Sequence, residues 1–225
     1  MRIAFFSFII QLLLFTACTR EPPEIYQIFW QLNIRKDVEH SSTYEQLSIF
    51  VSAGDPDGID DLEKIYLLND KEELYWEINS GAWHKADVHG ETWIGTNSFI
   101  MYDRSPFPEG EYRVMLQDVS GECVERLFSL NVPNIKRKIQ FPEPVIKDSI
   151  LRIKGESPFY SLWVYDKKKT FITPPFEIRD KGIEIKKITS RKRELNEGFE
   201  YYIYVYDNTI KRGIITGPFY YSTAN

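Results

Sequence analysis

Between Trp83 and Trp93 the chain reads Trp-His-Lys-Ala-Asp-Val-His-Gly-Glu-Thr-Trp. On one extended strand, residues two apart share a face, so Asp87, His89 and Glu91 would converge. His84 and His89 with one of these carboxylates, two imidazoles and an acid, make a set that zinc accepts. Trp83 and Trp93 supply flat rings that could stack on a sugar. Gly90 interrupts the alternation, however, and favours a hairpin in which such rings are core or cross-strand pairs. A second group is acidic: Asp55, Asp57, Asp60 and Asp61 crowd one loop, and Asp118 ends a later strand. Oxygen ligands from two loops suit calcium. The spacing is not that of an EF-hand, since Ile59 takes the third ligand place, and the plainer role of these residues is to cap turn amides beside Pro56 and Gly58. A third group is basic, Lys167-Lys168-Lys169 and Arg191-Lys192-Arg193. It reads either as an anion site or as two solvated turns. Serine-nucleophile, phosphate-loop, zinc-protease and paired-cysteine motifs are absent, so the sequence reads as non-catalytic, with no cofactor beyond the calcium considered above.

The elements that must carry these residues are strands. Hydrophobic residues make up 43% and aromatic residues 15% of the 225, too many for a disordered chain. They fall in short alternating runs near 25–34, 44–53, 63–68, 74–78, 92–101, 111–118 and 122–132, with turn signals between them. Pro133, Pro142 and Pro144 punctuate a charged stretch that reads as a linker. The pattern then restarts near 145–154, 160–165, 170–173, 182–189, 200–207 and 213–221. No segment sustains a helical period. These runs predict an all-β chain of two tandem β-sandwiches.

Residues 1–17 are apolar after Arg2, and Thr16-Ala17 place small side chains before Cys18. The run is too short to span a membrane as a helix and stops at Pro22-Pro23. It resembles a bacterial lipoprotein signal, with Phe15 where leucine is usual. The resemblance implies cleavage before Cys18, acylation of that residue with palmitate-like chains, and membrane anchoring in the bacterial cell envelope. Thr19, in place of an aspartate, favours the outer membrane over the inner. Cys123 is then left without a partner and is expected to be a buried, inert thiol.

Gly110 to Gly121 resembles the closing hairpin of bacterial immunoglobulin-like domains, and Asp55 to Leu62 resembles a loop of the same domains. Leu195 to Tyr206 resembles the corresponding run of fibronectin type III domains. The expected organisation is therefore a signal over 1–17, a tether over 18–24, an immunoglobulin-like sandwich over 25–133, a linker over 134–144 and a fibronectin type III-like sandwich over 145–225. In these topologies Asp118 shares a pole with the 55–61 loop, and the two basic triplets share a tip.

Charge divides with the halves. Residues 21–133 hold 8 Lys and Arg against 22 Asp and Glu, a net of −14; residues 134–225 hold 18 against 11, a net of +7. The positive half is drawn to anionic lipid or acidic polymers, or simply to the negative half. An exported chain of this kind has little call on nucleic acid. The sequence thus points to a non-catalytic, lipid-anchored envelope protein that binds a protein or polymer through its sandwich loops. A structural spacer, or a calcium- or glycan-binding accessory domain, are the alternatives.

Overall fold

The computed structural model describes residues 21–135, 137–179 and 182–222. The signal, Cys18 and the first part of the tether lie outside the described residues. The chain is all-β. Fifteen strands run in order as β1 (Glu24–Asp37), β2 (Ser42–Gly54), β3 (Leu62–Asn69), β4 (Leu74–Asn79), β5 (His84–Val88), β6 (Glu91–Phe99), β7 (Gly110–Asp118) and β8 (Cys123–Leu130). They continue as β9 (Glu143–Lys147), β10 (Ile150–Lys154), β11 (Tyr160–Tyr165), β12 (Phe171–Ile178), β13 (Ile183–Glu184), β14 (Phe199–Asp207) and β15 (Arg212–Tyr221). Among the described residues one short α-helix, α1 (Ile185–Thr189), stands where a strand was expected.

Two compact units interleave along the chain instead of following one another. The first takes residues up to Ile28, Phe50–Thr96 and Glu111–Phe128; the second takes Phe29–Ile49, Asn97–Gly110 and the chain from Ser129 onward. The sequence reading placed the division at 134–144. What it could not see is the parallel pairing of β1 with β15, Asn33 against Gly213 through Asp37 against Gly217, which binds an early strand into the late unit.

In the first unit β4, β3, β7 and β8 form a sheet in that order, and β2, β6 and β5 are successive neighbours in another. Alternation along β3 and β7 buries Ile65, Leu67, Val114 and Leu116 completely. Tyr112 joins them, its ring 5.5 Å from that of Phe128 and 6.5 Å from that of Trp76. In the second unit the order is β12, β11, β14, β15, β1, β2, with a small β13-β10-β9 sheet beside it. Its core gathers Leu151, Leu162, Val164, Ile188, Leu195 and Ile203. Ile135, Ile139 and Phe141, from the stretch read as linker, pack on Ile34, Ile210 and Ile214.

A recurrent device closes the hairpins: an Asp or Asn at a strand's end accepts backbone amides of the turn. Asp37 accepts from His40, Asn69 from Glu72, Asp118 from Ser120 and Glu122, Asp166 from Lys168 and Thr170, and Asp207 from Thr209. The predicted strand over 145–154 is instead the β9–β10 hairpin, turned by Asp148 and Ser149, both at positive φ. The expected strand over 182–189 persists only as β13; from Ile185 the chain winds into α1, which buries Ile185 and Ile188 in the core.

Candidate functional site

The zinc arrangement does not form. His89 and Gly90 both have positive φ and join β5 to β6 as a two-residue turn, with Asp87 opposite Thr92 and Val88 opposite Glu91. Asp87 therefore faces away from Glu91. Its carboxylate accepts the Thr92 hydroxyl at 2.8 Å, and Glu91 accepts the Ser52 hydroxyl at 2.7 Å. Nor do Trp83 and Trp93 form a cross-strand pair. Trp93 lies opposite Ala86, and Trp83 lies in the bend before β5.

The acidic residues do gather, and several of their oxygens are already engaged by local partners. Asp118 is buried and accepts Ser120 N at 2.8 Å, Glu122 N at 2.9 Å and the Ser120 hydroxyl. Asp57 accepts Glu21 N at 3.2 Å, and Asp60 pairs with Lys85 at 3.1 Å. Val119 N is held by the Asp61 carbonyl at 2.8 Å. Asp55 accepts Asp57 N at 2.8 Å, while its other oxygen is buried without a hydrogen-bond partner. Burial, then the neighbouring Asp118, Asp57 and Asp61 charges, push the Asp55 carboxyl above its ordinary range. Among the described residues no group of three or more His, Cys, Asp or Glu is arranged to hold a metal ion. The cluster is a set of turn caps with one strained carboxylate.

Much of the charge of the two basic triplets is neutralised by acids. Lys192 donates to buried Asp166 at 2.7 Å, Lys167 pairs with Glu197 at 3.0 Å, and Lys169 pairs with buried Glu200. The Lys192 hydrogen bond holds the Asp166 carboxyl down at about 2 despite its desolvation, helped by the Thr170 and Lys168 amides. Arg191 donates to the Pro174 carbonyl and lies 3.9 Å above the Phe176 ring. Arg193 and Lys168 are exposed. No local pattern marks Glu197 and Glu200 as partners of Lys167 and Lys169, since they stand about 30 positions on, at the end of a short 3-10 turn and in β14.

Cys123 is exposed and not buried, because β8 is an edge strand and its first residue falls on the open side. Desolvation and the nearby Asp118, Glu125 and Glu122 charges raise its thiol above the ordinary value.

A surface that the sequence reading passed over lies on the second unit. Along β11 and β14 alternate residues turn Leu162, Val164 and Ile203 into the core. The intervening Trp163, Tyr165, Tyr202 and Tyr204 occupy the opposite face, half-buried. Trp163 and Tyr204 stack at 5.0 Å with 14° between planes, and Tyr165 meets Tyr202 edge-on at 5.6 Å. Arg35 lies 4.9 Å over the Tyr202 ring.

From Tyr204 a polar network crosses β15 to β1 and β2. The Gln31 amide donates to the Tyr204 oxygen at 2.8 Å and to the Asn33 oxygen at 2.6 Å, and the Asn33 amide donates to the Ser48 hydroxyl at 3.0 Å. This crossing requires Gly213. A Cβ there would lie 2.0 Å from the Asn33 oxygen, 2.7 Å from the Tyr204 ring and 2.8 Å from the Gln31 nitrogen. Burial raises the Tyr204 phenol, and burial with the Glu200 acceptor raises that of Tyr202, so both remain neutral near pH 7. The face thus offers flat rings and oriented amides, suited to stacking and hydrogen bonding with polyhydroxylated rings. The signal for it, a run of alternate tyrosines over residues 200–206, was read only as a strand.

No protein-family model matches the chain, and no curated protein sequence matches it. The solved structures that match the chain include two that are only loosely similar. The 47-kilodalton lipoprotein Tp47 of Treponema pallidum is 12% identical over 90% of this chain and 52% of its own, with a TM-score of 0.38. Dimeric latent PorU of Porphyromonas gingivalis is 15% identical over 88% of this chain and 20% of its own, with a TM-score of 0.34. The chain thus spans about half of the first and a fifth of the second. Similarity this loose assigns neither a family nor a function. Among the described residues no helix is long and apolar enough to cross a membrane.

Proposed function

We propose that this is a non-catalytic binding protein of the bacterial cell envelope, anchored through acylated Cys18 and holding a neutral glycan polymer on the aromatic face of its second unit. The observation that carries the glycan reading is the Trp163–Tyr204 stack joined to the Gln31–Asn33 amide pair. Rings of this kind cover the C–H faces of a pyranose, and the half-buried Gln31 amide, fixed by Tyr204 and by buried Asn33, meets its hydroxyls with little further loss of side-chain entropy. Supporting the envelope reading are the apolar run before Cys18 and the small residues at 16 and 17. The face replaces the sandwich loops as the contact surface favoured here, since the loop residues named from sequence are largely engaged in turn capping and ion pairs.

The test uses the full chain carrying Cys18→Ser, titrated with soluble neutral glucans and N-acetylglucosamine oligomers and followed by tryptophan fluorescence and calorimetry. Saturable binding is expected, weakened about 10-fold or more by Trp163→Ala or Gln31→Ala, which corresponds to roughly 1.4 kcal/mol or more. Binding by neither glycan class, or a Trp163→Ala protein that titrates like the parent, would remove the glycan reading. Anchoring is tested separately: the parent should take up labelled palmitate and partition into detergent, and Cys18→Ser should do neither.

A further inference from the structure

A cleft of about 560 Å³ opens in the second unit beside the end of β12 and α1. Pro175, Phe176 and Ile183 give it an apolar wall, and Glu177, Arg179, Lys187 and Arg191 its charge. Phe176 and Ile183 are buried members of the core, so this wall is fixed. The turn beside it is closed by Gly182 N donating to the Arg179 carbonyl at 2.7 Å. Three cations stand against one carboxylate, and that carboxylate is already shared with Arg179 at 3.6 Å.

Arg191 is the most constrained of the three. Its guanidinium stacks 3.9 Å over Phe176 while one terminal nitrogen donates to the Pro174 carbonyl. A guanidinium has five N–H donors in a rigid fork, so most remain for a ligand, and the stack has already removed much of the side chain's freedom. Lys187 adds a mobile point charge from an exposed position on α1. Of the two basic triplets, Lys167, Lys169 and Lys192 are matched by Glu197, Glu200 and Asp166, whereas Arg191 lines this cleft, whose described lining residues carry a net charge of +2.

We infer that the cleft is a binding site for a phosphate monoester whose phosphate sits among Arg179, Lys187 and Arg191 and whose apolar or ring body lies against exposed Pro175, with buried Phe176 and Ile183 behind it. A phosphate monoester carries about −1.5 to −2 at neutral pH and presents acceptor oxygens that Arg forks meet in pairs. That charge matches the uncompensated charge of the cleft. A carboxylate leaves one cation unmatched, and an apolar ligand leaves all of them. The site is separate from the aromatic face, and the inference does not rest on the glycan reading.

The test titrates phenyl phosphate into the full chain carrying Cys18→Ser, so that the lipid anchor does not mask other membrane contacts. A dissociation constant of about 0.1–1 mM is expected, the range a few charge-assisted contacts supply. Lys187→Glu should weaken it about 10-fold or more, and Lys154→Glu, the same charge change outside the cleft, by less than about 2-fold. Arg191→Lys keeps the charge and loses the fork and the stack, and should also weaken binding; thermal melts confirm that each variant folds.

Phosphatidylcholine vesicles with and without phosphatidic acid then separate the sources. Retention on phosphatidic acid vesicles, reversed by phenyl phosphate, identifies a lipid headgroup. No retention, with phenyl phosphate still bound, identifies a soluble ester. The inference is overturned if phenyl phosphate binds no better than benzoate, or if Lys187→Glu and Lys154→Glu weaken it alike.

Discussion

Replacing Gly213 by alanine should dismantle the network that ties Tyr204 to β1 and β2. The added methyl would stand 2.0 Å from the Asn33 oxygen, and that side chain cannot simply swing aside. Asn33 is only 1% exposed, and its amide donates to the Ser48 hydroxyl at 3.0 Å and to the Gln46 and Gln31 carbonyls at 3.3 Å each. Overpacking of a tight site costs about 1–3 kcal/mol, and each buried hydrogen bond given up costs about 1 kcal/mol more. Against this, alanine reduces the freedom of the unfolded chain, worth about 0.4–1 kcal/mol. The balance is a loss of about 2–4 kcal/mol. For a chain of this size that is a fall in Tm of roughly 4–16 °C.

Differential scanning calorimetry of the Cys18→Ser chain reads the fall directly. Gly81→Ala serves as the control, because a Cβ there meets nothing closer than 3.5 Å. The double variant Gly213→Ala/Asn33→Ala supplies the sharper check. With the Asn33 amide gone the shortest of the three clashes is removed while those with Tyr204 and Gln31 stay, so the two losses should fall short of additivity by about 1 kcal/mol or more. Strict additivity, or a Gly213→Ala protein that melts with the parent, would refute the account of β15 as a strand kept bare for the network above it.

Four further outcomes follow from the site geometry. Asp166, held at about 2 by Lys192 and turn amides, contributes stability that is complete above the unfolded value of 3.8 and is lost as pH falls through the folded value. Acid titration of the parent should therefore show a component between about pH 4 and pH 2 that Asp166→Asn lacks, worth about 1–2 kcal/mol after allowance for screening. Asp55 has the opposite sign: its folded carboxyl is raised, so it destabilises the fold above that range, and Asp55→Asn should raise Tm at pH 7. Millimolar calcium should leave the Tm of the parent unchanged, because the Asp118 oxygens are occupied by Ser120 and Glu122; a calcium-dependent rise would reopen the metal reading. Cys123 in the Cys18→Ser chain should react with a thiol reagent in the native state, more slowly than free cysteine at pH 7 and faster as pH rises, since neighbouring acids hold its thiol protonated.

The elements best legible in the sequence were those with one wet and one dry face. β3 and β7 alternate strictly, and their positions follow from period two alone. β5 was missed because all five of its residues are exposed and it carries no apolar stripe. The β9–β10 hairpin was missed because its turn uses Asp148 and Ser149 at positive φ, without the glycine that usually announces one. Asp118 reads from sequence either as a calcium ligand or as one of a set of turn caps, and only the structure shows that the Ser120 and Glu122 amides take its oxygen.

The sequence by itself determined the β class, most strand positions and the division of charge between the halves, because these depend on neighbours within a few residues. Only the tertiary structure decided which strands share a unit, which cations are neutralised and where rings and amides meet. Asn33 and Gly213 are 180 positions apart, and no local period encodes their pairing. It arises when the whole sheet closes, and the Tyr204–Gln31 contact forms with it.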